Sequence, residues 1–224
     1  MEPYYYQTLS KAEQSSYQAM QAGLQAFAPS FPVPLLENRA LTDVFMKLRL
    51  DCPQLFYAGT FQYRYYPDSR NAELIPAYLF EKGKLKEHQK ALQARVEKLV
   101  RPVARCSDEE KLLYIHDFIC KNVRYDKLKK QYSHEIIGVL GHGVGVCEGI
   151  AKAVKILCDA LQIQCIIALA ENNPEKGVKY RHAWNVVRLD KKYYHLDCTF
   201  DLSLGNPEEI RYDYFLLSDK QIFR

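Results

Sequence analysis

Apolar and aromatic residues recur at helical spacing in some stretches of the chain and run together or alternate in others. Tyr17, Met20, Leu24 and Phe27 fall on one helical face and predict a helix over about residues 8–27. The Pro-rich segment Pro29 to Pro34 ends it, and a second helix is expected from Ala40 to Leu50, stopping near Pro53. Leu55 to Tyr66 is rich in aromatic residues, a turn-forming Pro67–Asn71 stretch follows, and Leu74 to Phe80 completes the pattern of a hairpin, in which Tyr63, Tyr65 and Tyr66 are read as strand packing. Between Lys84 and Val100, Leu85, Leu92, Val96 and Leu99 stand among many charges, the pattern of an amphipathic surface helix that breaks at Pro102.

Past Cys106 the pattern changes. Ser107 and Glu110 have the spacing of a capping box and open a helix whose apolar face holds Leu112, Leu113, Ile115, Phe118 and Ile119. Further on, three glycines (Gly141, Gly143 and Gly145) lead into Val146-Cys147-Glu148-Gly149, and Val154, Leu157 and Leu161 continue at helical spacing. Cys147 is thereby placed at a helix N-terminus, where unpaired N–H groups and the positive end of the helix dipole favour a thiolate. The glycines let the backbone turn tightly and approach a substrate, the Cys147 N–H is placed to face a developing oxyanion, and His142 lies in the same loop within reach of a substrate.

A thiol nucleophile needs a base, and the following strands supply one. Ile163 to Ala170 and Val178 to Leu189 read as strands joined by the polar stretch Glu171 to Gly177, and Asp190-Lys191 suits a tight turn into a strand from Lys192 to Thr199. With two residues in that turn, Leu189 pairs with Lys192. His182 then faces Thr199, and Asp197 becomes a diagonal neighbour of His182 on the same face, together with Trp184. A carboxylate that holds an imidazole and stabilises the imidazolium is what ionisation of Cys147 requires. His195 shares that face and is the rival base, whereas His88, His116 and His134 read as surface or helix positions and Cys198 as core.

Composition narrows the classes without choosing among them. Lys and Arg exceed Asp and Glu by only four in 224 residues, and the Lys127, Lys129, Lys130 run reads as a solvated face, so no nucleic-acid partner is expected. Seven cysteines without framework spacing indicate a reducing compartment, no pair has zinc-ligand spacing, and neither a metal nor a cofactor is expected. Without an apolar leader or a long uncharged run, the chain is expected to be cytoplasmic and to have no membrane partner.

Three blocks now carry a resemblance. Val146-Cys147-Glu148-Gly149-Ile150-Ala151-Lys152-Ala153, Arg181-His182-Ala183-Trp184-Asn185-Val186-Val187 and His195-Leu196-Asp197-Cys198-Thr199-Phe200-Asp201 look like the Cys, His and Asp blocks of the transglutaminase-like superfamily, over roughly residues 107–201. The resemblance implies an α+β, papain-like core, with the cysteine opening a helix packed on an antiparallel sheet. It implies Cys147, His182 and Asp197 as a catalytic triad, with Tyr125 resembling an aromatic found ahead of the cysteine. A catalytic core is expected over residues 106–224, and the patterning outside the resemblance predicts a mostly helical N-terminal region with a hairpin over residues 1–105. The activity implied is cysteine-dependent attack on the carbonyl of a peptide bond, or of a glutamine or other amide side chain, through a thioester. Water resolves the thioester in a peptidase or amidase, the outcome favoured here, and an amine resolves it in a transglutaminase. A catalytically silent module that binds a protein partner in the cleft is the reading from another class. Oligomeric state is not legible.

Overall fold

The computed structural model describes residues 3–171, 181–206 and 208–222. They form two compact units, one ending at Glu87 and the other beginning at His88, so the division falls within a helix rather than near Cys106.

The first unit contains α1 (Tyr4–Gln7), α2 (Lys11–Gln25), β1 (Phe31–Pro34), α3 (Asn38–Asp51), β2 (Ala58–Tyr65) and β3 (Asn71–Tyr78). Ser10 and Glu13 cap α2 reciprocally, and the predicted periodicity buries Tyr17, Met20 and Leu24. The hairpin of β2 and β3 is present, but Pro29 to Pro34 does more than end a helix. Its second half is β1, paired antiparallel to β3 at the sheet edge with Phe31 opposite Leu74. An edge strand tolerates Pro32 and Pro34 because one side of its backbone has no ladder partner to satisfy.

α4 (Lys82–Val100) spans the division, and the second unit continues with α5 (Asp108–Asn122), β4 (Arg124–Tyr125), β5 (Val144–Gly145), α6 (Cys147–Ala160), β6 (Cys165–Ala170), β7 (His182–Leu189), β8 (Lys192–Leu196), α7 (Cys198–Leu204) and α8 (Asp219–Ile222). The expected capping box of Ser107 and Glu110 opens α5. Its buried stripe is Leu112, Ile115, His116, Ile119 and Cys120, whereas Leu113 is 40 % exposed, so His116 is a core residue rather than a surface one. β6, β7 and β8 form an antiparallel sheet in that order, and α6 lies against β6 and β7. Ile150, Ala151, Ala153, Val154, Leu157 and Cys158 are at most 1 % exposed and meet Ala183, Asn185 and Val187 on one face of β7, where the Asn185 amide donates to the Ala151 carbonyl at 2.9 Å. His182, Trp184 and Val186 alternate onto the opposite face, as period-two strand geometry requires.

The hairpin of β7 and β8 has the predicted register, Leu189 opposite Lys192 and Asn185 opposite Leu196. Asp190 and Lys191 both take positive φ, 47° and 65°, the backbone of a two-residue hairpin turn. The strand predicted to reach Thr199 stops at Leu196, because the Asp197 side chain accepts from the N–H groups of Thr199 and Phe200 and starts α7 there. The expected strand start, residues 178–180, and most of the polar connection before it lie outside the described residues.

This α+β, papain-like arrangement puts the start of α6 beside the start of β7. A segment from 212 to 219 ties the other face down. His195 and Leu217 exchange two backbone hydrogen bonds, Asp197 N–H donates to Tyr214 O at 3.0 Å, and Tyr214 N–H donates to the Asp201 carboxylate at 3.0 Å.

Candidate active site

Cys147 is the first residue of α6, preceded by Val146 in extended conformation, and its own N–H is therefore among those left unpaired at the helix start. Burial pushes the Cys147 thiol up. A hydrogen bond from the His182 ring, the Ala183 N–H, the charge of His182 and the Glu148 N–H together outweigh burial and bring it below the ordinary thiol range. The other cysteines with a shift go the opposite way. The hydrogen bond that the Cys158 thiol donates to Cys165, together with burial, raises Cys158, burial raises Cys198, and burial with nearby Asp201 and Asp117 pushes Cys120 up to about 12.

His182 Nε2 lies 2.5 Å from Asp197 Oδ2, which leaves Nδ1 for the sulfur. Burial opposes the imidazolium, but the bond to Asp197, the bond to Cys147 and the two negative charges raise His182 to about 9. Asp197 is 2 % exposed and uses both oxygens, Oδ2 on His182 and Oδ1 on the Thr199 and Phe200 N–H groups at 3.0 Å each. The aspartate thus reaches His182 from a helix cap rather than from the strand position that the register alone suggests. The His182 ring is stacked between Phe200, at 4.4 Å between centroids, and Trp184, at 5.9 Å.

Cys147 and His182 open into a cleft of about 200 Å³ that is also lined by Tyr125, Lys129, His134, Val146, Glu148, Leu169, Arg181 and Ala183. Burial, and after it the negative charge of Cys147, pushes the Tyr125 phenol up, so it stands in the cleft as a neutral phenol. Of the other residues singled out in the sequence, Trp184 backs the His182 ring, and His142 and Gly145 are not cleft-lining residues. His142 is exposed beside Tyr132, and Gly145 is buried where a Cβ would come within 2.6 Å of Val139. The glycine loop serves a close approach of backbone to backbone. Gly143, at φ 65°, accepts at its carbonyl from the Arg124 N–H, and Gly145 accepts likewise from Asp126. His195 is not placed as a base, because its two ring nitrogens are engaged by Trp184 and Asp219.

Sequence reasoning missed the wall beside Cys147. Lys152 is fully buried, with Nζ 2.7 Å from Glu148, 2.9 Å from Glu135 and 3.2 Å from the His134 carbonyl. The i,i+4 spacing of Glu148 and Lys152 was the available signal. Opposite them, Ser133 O accepts from the Val146 N–H at 3.0 Å, and a Cβ on Gly149 would stand 2.2 Å from that same oxygen. Gly149→Ala is therefore expected to cost ~1–3 kcal/mol and to displace the residue that precedes the thiol. A urea titration would check the cost, and an unchanged midpoint would refute the close approach. Among the described residues, no group of three or more His, Cys, Asp or Glu is arranged to hold a metal ion. Nor, among them, is any helix long and apolar enough to cross a membrane.

A thiol at a helix start, an imidazole and a buried carboxylate thus meet on an α+β scaffold with a papain-like core. Residues 93–198, just under half of the chain, match the family model of the transglutaminase-like superfamily. The match supports cysteine-dependent enzyme chemistry in general terms. No curated protein matches the chain. Several solved structures resemble it, among them the following two. A TGase crystal structure is 12 % identical over 63 % of this chain and 44 % of its own, with a TM-score of 0.41. A "putative cysteine protease" from Cytophaga hutchinsonii is 14 % identical over 62 % of this chain and 61 % of its own, with a TM-score of 0.39. The chain thus spans less than half of the first and less than two thirds of the second.

Proposed function

We propose that the chain is a thiol acyl-transfer enzyme acting on a peptide or protein substrate, with Cys147 as nucleophile, His182 as its proton partner and Asp197 as the group that orients His182. The observation that carries this reading is geometric: Cys147 at the start of α6 and His182 line one cleft, and His182 Nε2 lies 2.5 Å from the buried Asp197 carboxylate. The resting state is a thiolate–imidazolium pair. The thiolate attacks an amide or peptide carbonyl, the oxyanion forms beside the N–H groups at the start of α6, and His182 gives its proton to the departing amine as the thioester closes. Hydrolysis completes the cycle when water attacks the thioester with His182 as base. The cleft among the described residues is open at Cys147, which supports this outcome.

The signs of the two shifts set a pH window. Below the lowered thiol value the sulfur is protonated, and above about 9 His182 loses the proton that the leaving amine needs. Turnover should therefore be bell-shaped, with its alkaline limb near pH 9. At neutral pH, iodoacetamide should alkylate Cys147 roughly tenfold faster than an ordinary thiol. Peptide mapping of the alkylated chain, with Cys147→Ala as control, reads the rate at the one sulfur. An ordinary rate at Cys147 would leave only a binding module. On glutamine peptides, ammonia release should exceed incorporation of an added amine. The reverse order would make the enzyme a transferase.

A further inference from the structure

The chain has a single tryptophan, and its indole is held in an unusual way. Trp184 Nε1 donates to His195 Nδ1 at 2.8 Å. An indole N–H can only donate, so Nδ1 carries no proton, and the proton of neutral His195 sits on Nε2, 2.8 Å from Asp219 Oδ1. His195 is 7 % exposed and is clamped by its two backbone bonds to Leu217, while the Asp219 side chain is 84 % exposed. The indole so held lies nearly parallel to the His182 ring, 13° between planes, and is not among the residues that line the cleft.

We propose that His195 and Asp219 are positioning residues: Asp219 fixes the His195 tautomer, His195 fixes the indole of Trp184, and the indole holds and stabilises the imidazolium of His182. The proposal rests on the assignment of His182 as the proton partner of Cys147. A cation beside an indole face gains from the ring quadrupole, and His182 is a cation only in the resting ion pair, so the contact favours that form. Among the described residues, Asp197 and Cys147 set the charge state of His182, and Tyr125, Lys129, His134, Glu148 and Arg181 line the same cleft. Asp219, on α8, faces His195 and does not touch His182, which makes it a remote handle on the same proton.

The test uses the full chain and reads two signals against pH, the emission of Trp184 and the rate of Cys147 alkylation. Protonated imidazole quenches a neighbouring indole, so wild-type emission should rise through an inflection near 9 as His182 loses its proton. His195→Leu removes the acceptor of the indole and should lower that inflection by roughly half a pH unit, the size of a cation–π contact at a partly exposed site. His195→Asn places an amide oxygen near the former Nδ1 and should restore most of the shift. Asp219→Ala, at an exposed position where folding is not at risk, should move the inflection in the same direction by less.

An inflection unmoved in His195→Leu and Asp219→Ala overturns the proposal, as does an equal fall in His195→Leu and His195→Asn. If His195→Leu does not fold, Asp219→Ala decides alone. Failure of the underlying assignment looks different: wild-type Cys147 then alkylates at an ordinary rate, while the emission titration still tells whether residue 195 governs the Trp184–His182 contact.

Discussion

Asp197→Asn is expected to reduce turnover by ~10²–10⁴-fold with little loss of fold, the scale seen when the carboxylate of a nucleophile–imidazole–carboxylate triad becomes an amide. The reason lies in the two jobs of this side chain. Oδ1 accepts from two N–H groups at the start of α7, so the amide oxygen of the variant must stay there. The amide nitrogen is then forced to face His182 Nε2. Because that nitrogen donates, Nε2 must accept, and the ring's proton moves to Nδ1, where it points at the sulfur instead of removing its proton. His182 also loses the bond and charge that raise it, while the burial that lowers it remains, so its titration falls from about 9. Alkylation of Cys147 at neutral pH should drop to the rate of an ordinary thiol. A variant that keeps fast alkylation would show that the carboxylate does not organise this site. Asp197→Ala should add a stability loss of ~1 kcal/mol from the missing helix cap, which Asn avoids.

Lys152→Met should have the largest effect on stability, ~3–5 kcal/mol, because it removes the cation from a buried ion pair and leaves carboxylates behind. Lys152 is fully buried and Glu135 is 2 % exposed, so solvent cannot take over the role of the ammonium for Glu135. Glu148 keeps 31 % side-chain exposure, and Glu148→Gln should cost much less. Denaturation followed by Trp184 emission reports the unit that contains Lys152. The midpoint should fall steeply for Lys152→Met and the slope should stay near wild type. A midpoint within error of wild type would mean that the ion pair contributes nothing net.

What the sequence disclosed was mainly local. Turn parity at Asp190-Lys191 set the register of the last hairpin, and the glycine-to-helix transition put Cys147 at the start of α6, because both depend on a few adjacent residues. The errors have a common origin in reading polarity as exposure. His116, read as a surface or helix position, lies four residues after Leu112 and three before Ile119, on the apolar stripe of α5; it is a helix position, but a buried one, bonded to Asp201 at 3.0 Å. Lys152 was hidden by the same assumption. Asp197 was legible as a partner of His182 but not as a cap, since a strand running to Thr199 gives the same side-chain parity as a strand that stops and turns into a helix. The partners drawn from residues 212–219 had no local signal, because nothing in that stretch announces which strand it will meet.

That late segment has a bearing on when chemistry can begin. His195, Asp197 and Asp201 each take a partner from it, so during synthesis the nucleophile and its imidazole emerge well before the stretch that secures them. On the proposed reading, a growing chain on the ribosome carries a sulfur not yet sharpened by a settled environment until residues 212–219 have emerged and docked.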